Sequence, residues 1–161
     1  MKSLAVSHPA PAHFQPHHFE HSFEVAAAID VVWQWLNRIE TFTRGQPPGY
    51  RVEFVGDRFE PGVCTVHHGP FLNFAGVIGD MDAHRYRDLQ YFYGSYALSL
   101  RLIRPTRLQF WLEPRGDAAT TVRLRVDSHV RSWMAGLWTL AQRAFWPGLG
   151  WQMKRALHGR G

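Results

Sequence analysis

Three short constellations in this chain carry residue types that could do chemistry. In "DMDAH", Asp80, Asp82 and His84 stand two apart, so an extended strand would point all three the same way, as a metal site or an acid/base cluster requires. The alternate positions Ala75, Val77, Gly79, Met81 and Ala83 form the apolar side that a sheet turns inward, which assigns the acidic side to water. Asp127, Ser128 and His129 supply the residue types of a hydrolase triad, but strand alternation sends Ser128 to the face opposite the other two. His67 and His68 also alternate, so one of them enters the sheet interior. Cys64 and Val66 are in phase with His68, which predicts His68 as the inward residue, either a polar anchor in an apolar cavity or a hydrogen-bonded group at its rim.

Other groups point less sharply to chemistry. Histidines 8, 13, 17, 18 and 21 fall in or beside a proline-broken N-terminal stretch, and a loose arm cannot preset ligand geometry, so no metal site is assigned. The net charge of +5 attracts anionic partners at long range. The arginines, Arg85, Arg87, Arg101, Arg104, Arg107, Arg123, Arg125 and Arg131 among them, read as a solvated basic surface, because no interleaved exposed aromatics, phosphate loop or nucleotide fingerprint accompanies them. Cys64 is the single cysteine, which excludes an internal disulfide and points to a reducing, cytoplasmic setting with the thiol used as a small buried hydrophobe.

The elements that would position these groups follow from periodicity. "FEHSFEV" alternates Phe19, His21, Phe23 and Val25 against Glu20, Ser22 and Glu24, a half-buried strand. "IDVVWQWLNRIETF" then sets Val32, Trp33, Leu36, Ile39 and Phe42 at helical spacing, with Asp30 as its N-cap. "YRVEFVGDR", "GVCTVHH", "NFAGVIGDMDAH", "RDLQYFYG", "YALSLRLIR", "RLQFWLEP" and "TTVRLRVDSHV" read as successive strands, joined by short links such as "RPT" that favour antiparallel hairpins. The segment 133–157 is an amphipathic helix. Its apolar face is read as Met134, Leu137, Trp138, Ala141, Phe145, Gly148, Leu149 and Ala156, flanked by Trp133, Leu140 and Trp151 on one side and Trp146 on the other. Thr139 falls on the far side, and Pro147 should kink or split the helix. No run is long and apolar enough for a spanning helix.

This order resembles the helix-grip fold of the START-like (SRPBCC) superfamily over residues 19–158. "FEVAAAIDVVWQWL" is similar to that fold's first strand and following helix, and "RLQFWLEPRGDAATTVRLRV" to the closing hairpin of its polyketide cyclase/dehydrase-like members. The resemblance implies an α+β domain in which a curved antiparallel sheet wraps a long C-terminal helix, with short helices after the first strand. Residues 1–18 are expected as a flexible arm and 19–161 as one domain. It further implies a cavity for a hydrophobic small molecule, lipid-like or aromatic and polyketide-like, with no cofactor, metal or catalytic residue assigned. The expected ligand-binding residues are Phe54, His68, Tyr91, Tyr93, Phe110, Trp138 and Phe145. A cyclase- or dehydratase-type enzyme using His68, Tyr91 and Tyr93 is the alternative, and partner or nucleic-acid binding through the basic surface the second. A homodimer stays open.

Overall fold

The computed structural model describes residues 9–44, 50–69, 73–92 and 101–158. Seven strands form one antiparallel sheet: β1 (Phe14–Val25), β2 (Arg51–Phe54), β3 (Cys64–His68), β4 (Phe74–Asp82), β5 (Tyr86–Tyr91), β6 (Ile103–Pro114) and β7 (Thr120–Arg131). Their spatial order is β1-β7-β6-β5-β4-β3-β2, so β1 and β2 are the two edges. Two short helices, α1 (Ile29–Leu36) and α2 (Ile39–Arg44), follow β1. A 3-10 turn (Ser132–Met134) leads into the long helix α3 (Ala135–His158), which packs on the curved sheet. This is the α+β helix-grip architecture. Among the described residues no helix is long and apolar enough to cross a membrane.

The strands show where alternation suffices and where it fails. On β7, Val122, Leu124, Val126 and Ser128 are all buried, as their shared phase predicts. β1, however, begins at Phe14 and pairs with β7 from Phe14–Arg131 to Val25–Thr120. Residues 14–18, expected in the loose arm, are strand because the twelve-residue β7 offers them a partner along its whole length. Pro16 is tolerated there because β1 is an edge. On β4 the register shifts between Ile78 and Met81. This bulge places Gly76, Ile78 and Met81 opposite the inward residues Tyr91, Leu89 and Arg87, so Ala75, Val77 and Gly79 do not face the cavity as expected. "RPT" is likewise not a turn but an irregularity inside β6, between Pro105 and Arg107. Ile103 and Arg104 open that same strand, and residues 96–100 of the separately expected strand lie outside the described residues.

The helices also differ from their sequence reading. The stretch after β1 divides at Asn37, whose side-chain amide donates to the Trp33 carbonyl at 2.8 Å and closes α1. Ala28, not Asp30, is the N-cap, and Asp30 stands in the first turn. α3 continues through Pro147 as one helical element. Its buried residues are Gln142, Gly150, Met153 and Leu157, while Leu137, Leu140, Phe145 and Trp151 are exposed. The fully buried residues lie to one side of the apolar face read in the sequence, whose Trp138, Ala141, Phe145, Gly148 and Leu149 are turned to the space between helix and sheet while Leu137 is exposed. Thr139, expected on the far side, donates its hydroxyl to the Ala135 carbonyl at 2.9 Å and accepts from His17 Nε2 of β1 at 2.8 Å. Gly150 meets the Phe23 ring so closely that a Cβ would stand 3.1 Å from it, which is how α3 can approach β1.

Candidate functional site

Between α3 and the sheet lies an apolar cavity of about 260 Å³. Its floor is the inward phase of β5 and β6: Arg87, Leu89 and Tyr91 beside Leu108 and Phe110. Its roof is the face of α3 that carries Trp138, Gln142, Phe145, Trp146 and Leu149. Phe42 of α2, Phe54 of β2 and Phe59 of the following loop close one end, their rings 5.5 to 6.3 Å apart between centroids. His67 of β3 and Phe74 of β4 stack at 5.0 Å, and the Tyr91 ring stands edge-on to both. Gly76 makes room for that tyrosine, since a Cβ there would fall 2.9 Å from the ring.

A few polar groups converge on these rings. The Trp138 indole donates to the Ser128 hydroxyl at 3.2 Å, and the Trp146 indole to the Gln142 side-chain oxygen at 2.6 Å, so both indole N–H groups are satisfied. His67 Nε2 lies 3.0 Å from the Thr65 hydroxyl. Burial, with His68 and Arg87 nearby, lowers the pKa of His67 to about 3, and the ring is neutral at pH 7. Burial raises the Tyr91 pKa, against which the Arg87 cation acts, so the phenol keeps its proton. Arg87 is 1% exposed, and none of its three guanidinium nitrogens has a hydrogen-bond partner among the described residues. Its charge instead lies over the rings of Phe110, Phe59 and Phe42 at 4.7, 4.8 and 5.1 Å.

The structure brings Phe54, Tyr91, Phe110, Trp138 and Phe145 together on the cavity wall. Tyr93 lies outside the described residues. The histidine assignment is corrected. Thr65 and His67 take the inward phase of β3, while Cys64 is exposed and His68 keeps a third of its side chain in solvent, 3.3 Å from the Glu53 carboxylate. His68 nevertheless also lines the cavity, with its side chain partly in solvent. Apolarity misled here: the inward threonine is held by its bond to His67, while Val66 takes the other phase. Trp133, Leu140 and Trp151 do not widen the buried zone but stand in solvent. Arg87, read with the basic surface, was the largest omission; the one signal for it was its phase with Leu89 and Tyr91 in "RDLQY".

The other constellations do not assemble. Ser128 is buried under Trp138, whereas Asp127 faces out to His18 and Arg125 at 2.6 and 2.7 Å. His84 turns away from Asp80 and Asp82 to lie 3.3 Å from Asp30 and edge-on to Trp33. On the outer sheet face, Arg107 pairs with the buried Asp88, Arg125 with Asp127, and Arg123 covers the Trp111 ring.

No family model matches the chain, and no curated protein matches it by sequence. Solved structures do match. Norcoclaurine synthase from Thalictrum flavum, in complex with dopamine and hydroxybenzaldehyde, is 15% identical with a TM-score of 0.71, covering 100% of this chain and 99% of its own. A START superfamily protein from Mycobacterium smegmatis is 11% identical with a TM-score of 0.72, over 90% of this chain and 99% of its own. The Zhui aromatase/cyclase from Streptomyces sp. R1128 is 17% identical with a TM-score of 0.53, over 73% and 70%. At these identities the likeness shows the fold: the chain has the START-like helix-grip fold that its sequence resembles.

Proposed function

We propose that the protein binds a hydrophobic small molecule, aromatic or lipid-like, in the cavity between α3 and the sheet. The observation that carries this reading is the cavity itself, about 260 Å³ of space walled by aromatic rings and edged by a few polar groups. An apolar cavity of about 150 Å³ already accepts benzene, so this one has room for one or two rings or a short chain. The ligands in the similarly folded norcoclaurine synthase, dopamine and hydroxybenzaldehyde, are aromatic and support the same ligand class here.

Binding is favoured over catalysis by the protonation states of the polar groups. A base whose pKa is about 3 and a phenol raised above its ordinary value are both poor at moving protons near pH 7. Uncharged His67 and Tyr91 are instead suited to orient a ligand by hydrogen bonds. The enzyme alternative keeps Tyr91 of its expected residues and takes His67 in place of His68, with Arg87 able to polarise a carbonyl. Native mass spectrometry of the purified protein tests the binding reading. A co-purifying small molecule that Trp138→Ala releases is the expected result. Failure of both co-purifying species and apolar dyes to bind would refute it, and turnover of a bound aromatic ketone would move the conclusion to the enzyme.

A further inference from the structure

We propose that the cavity selects apolar molecules that carry an anion, a carboxylate in particular, and that Arg87 is the counter-charge. This rests on the binding reading above and names its ligand class. Three observations carry it. Arg87 is buried on the cavity wall with all three guanidinium nitrogens unpartnered among the described residues. Among the described residues no aspartate or glutamate lines the cavity to answer that charge. The other arginine on the wall, Arg51, is answered at once by Glu53 at 2.5 Å. The three phenyl rings around the guanidinium offer it no oxygen or nitrogen acceptor, so its N–H donors stay without a hydrogen-bond partner among the described residues, and their fork geometry fits a carboxylate. The Tyr91 phenol and the neutral His67 stand on the same wall.

The test compares acids with neutral isosteres: naphthoate against naphthamide, and decanoate against decanamide, titrated calorimetrically into the wild type, Arg87→Met and Arg87→Lys. The expected result is an acid preference of about ten- to a hundredfold in the wild type, from charge-assisted hydrogen bonds in a dry site. Arg87→Met should abolish the preference while still binding the amides, and Arg87→Lys should keep part of it. Thermal melts verify that the variants fold. Equal binding of acid and amide by the wild type would overturn this inference and leave the binding reading standing. Binding of none of the four would overturn both.

A separate observation carries a second inference. Trp133, Leu137, Leu140 and Trp151 are 71, 59, 63 and 60% exposed and follow one another at helical spacing along the outer side of α3 and its leading turn. Exposed cations Arg143, Lys154 and Arg155 flank them, and residues 132–161 contain no aspartate or glutamate. We infer that this face docks on an anionic lipid surface. A second copy of the same face would bring like charges together, whereas acidic headgroups complement them and indoles suit the interface. Sedimentation with vesicles of phosphatidylcholine, alone or mixed with phosphatidylserine, tests it. Salt-sensitive binding to the mixed vesicles, weakened at least about tenfold in a Trp133→Ser, Leu140→Ser, Trp151→Ser variant, is expected. No sedimentation with mixed vesicles, or a dimer in solution that the same variant dissolves without any vesicle binding, would overturn it.

Discussion

Replacing Arg87 by methionine should stabilise the ligand-free protein, the reverse of what removing a buried side chain usually does. Burial lowers the pKa of this guanidinium from the ordinary arginine value of about 12.5 to about 9, which still leaves it charged at pH 7. At about 1.36 kcal/mol per pH unit, keeping the charge there costs about 5 kcal/mol. A planar guanidinium has two faces, and in a dry site two phenyl rings return about 2 kcal/mol each. A remainder of about 1 kcal/mol is uncompensated, and methionine fills a similar volume without it. For a chain of this length that is a rise of about 2 to 4 °C in Tm. Urea and thermal unfolding of both proteins, stripped of ligand by refolding, measure it. Adding a tightly bound acid should reverse the order, because only the wild type gains from the anion. If Arg87→Met is instead less stable than the wild type by 2 kcal/mol or more on the same order-of-magnitude scale, the rings satisfy the cation fully and the argument for a missing counter-ion fails.

Between pH 6.5 and 3 the unfolded chain binds a proton that buried His67 refuses, so stability falls with acidification; at pH 4 the loss should reach about 3 kcal/mol, and His67→Gln should remove that share of the pH dependence in urea titrations. Phe110→Ala, at a ring 2% exposed, should cost about 3 to 5 kcal/mol, whereas Trp138→Ala at the half-buried roof should cost less and chiefly alter uptake of an apolar dye. Gly76→Ala should cost about 1 to 3 kcal/mol and weaken ligand binding, because its Cβ would press on the Gln90 carbonyl and the Tyr91 ring. Gly148→Ala meets open space and should stabilise by about 0.5 to 1 kcal/mol, while Gly150→Ala, facing Phe23 at 3.1 Å, should gain nothing; paired melts compare them.

The sequence by itself determined most elements and their order, although it broke β6 at "RPT" and ran α1 and α2 together. Period-two alternation marks β1 and β7, and the switch to helical spacing marks the helical stretch after β1 and α3, because each element must bury one side and repeats its apolar residues at its own geometric period. It also determined that Ser128 could not join Asp127 and His129, since that follows from alternation alone. Tertiary structure decided which side is inside wherever both sides are mixed. In β3 the choice between Thr65 with His67 and Val66 with His68 follows the pairing with β4, which sets Thr65 opposite Gly76 and His67 opposite Phe74, and in β4 a bulge changes the phase midway. For α3 the sequence placed Trp138, Ala141, Phe145, Gly148 and Leu149 on the side that does face the cavity, but which flank is fully covered, that of Gln142, Gly150 and Met153, is settled only by contact with β1. Arg87 is the clearest case. An arginine between polar neighbours belongs outside until Phe42, Phe59 and Phe110, distant in sequence, are folded around it. Periodicity is a local property of the chain, whereas the burial of a charge is set by residues that only the fold brings near.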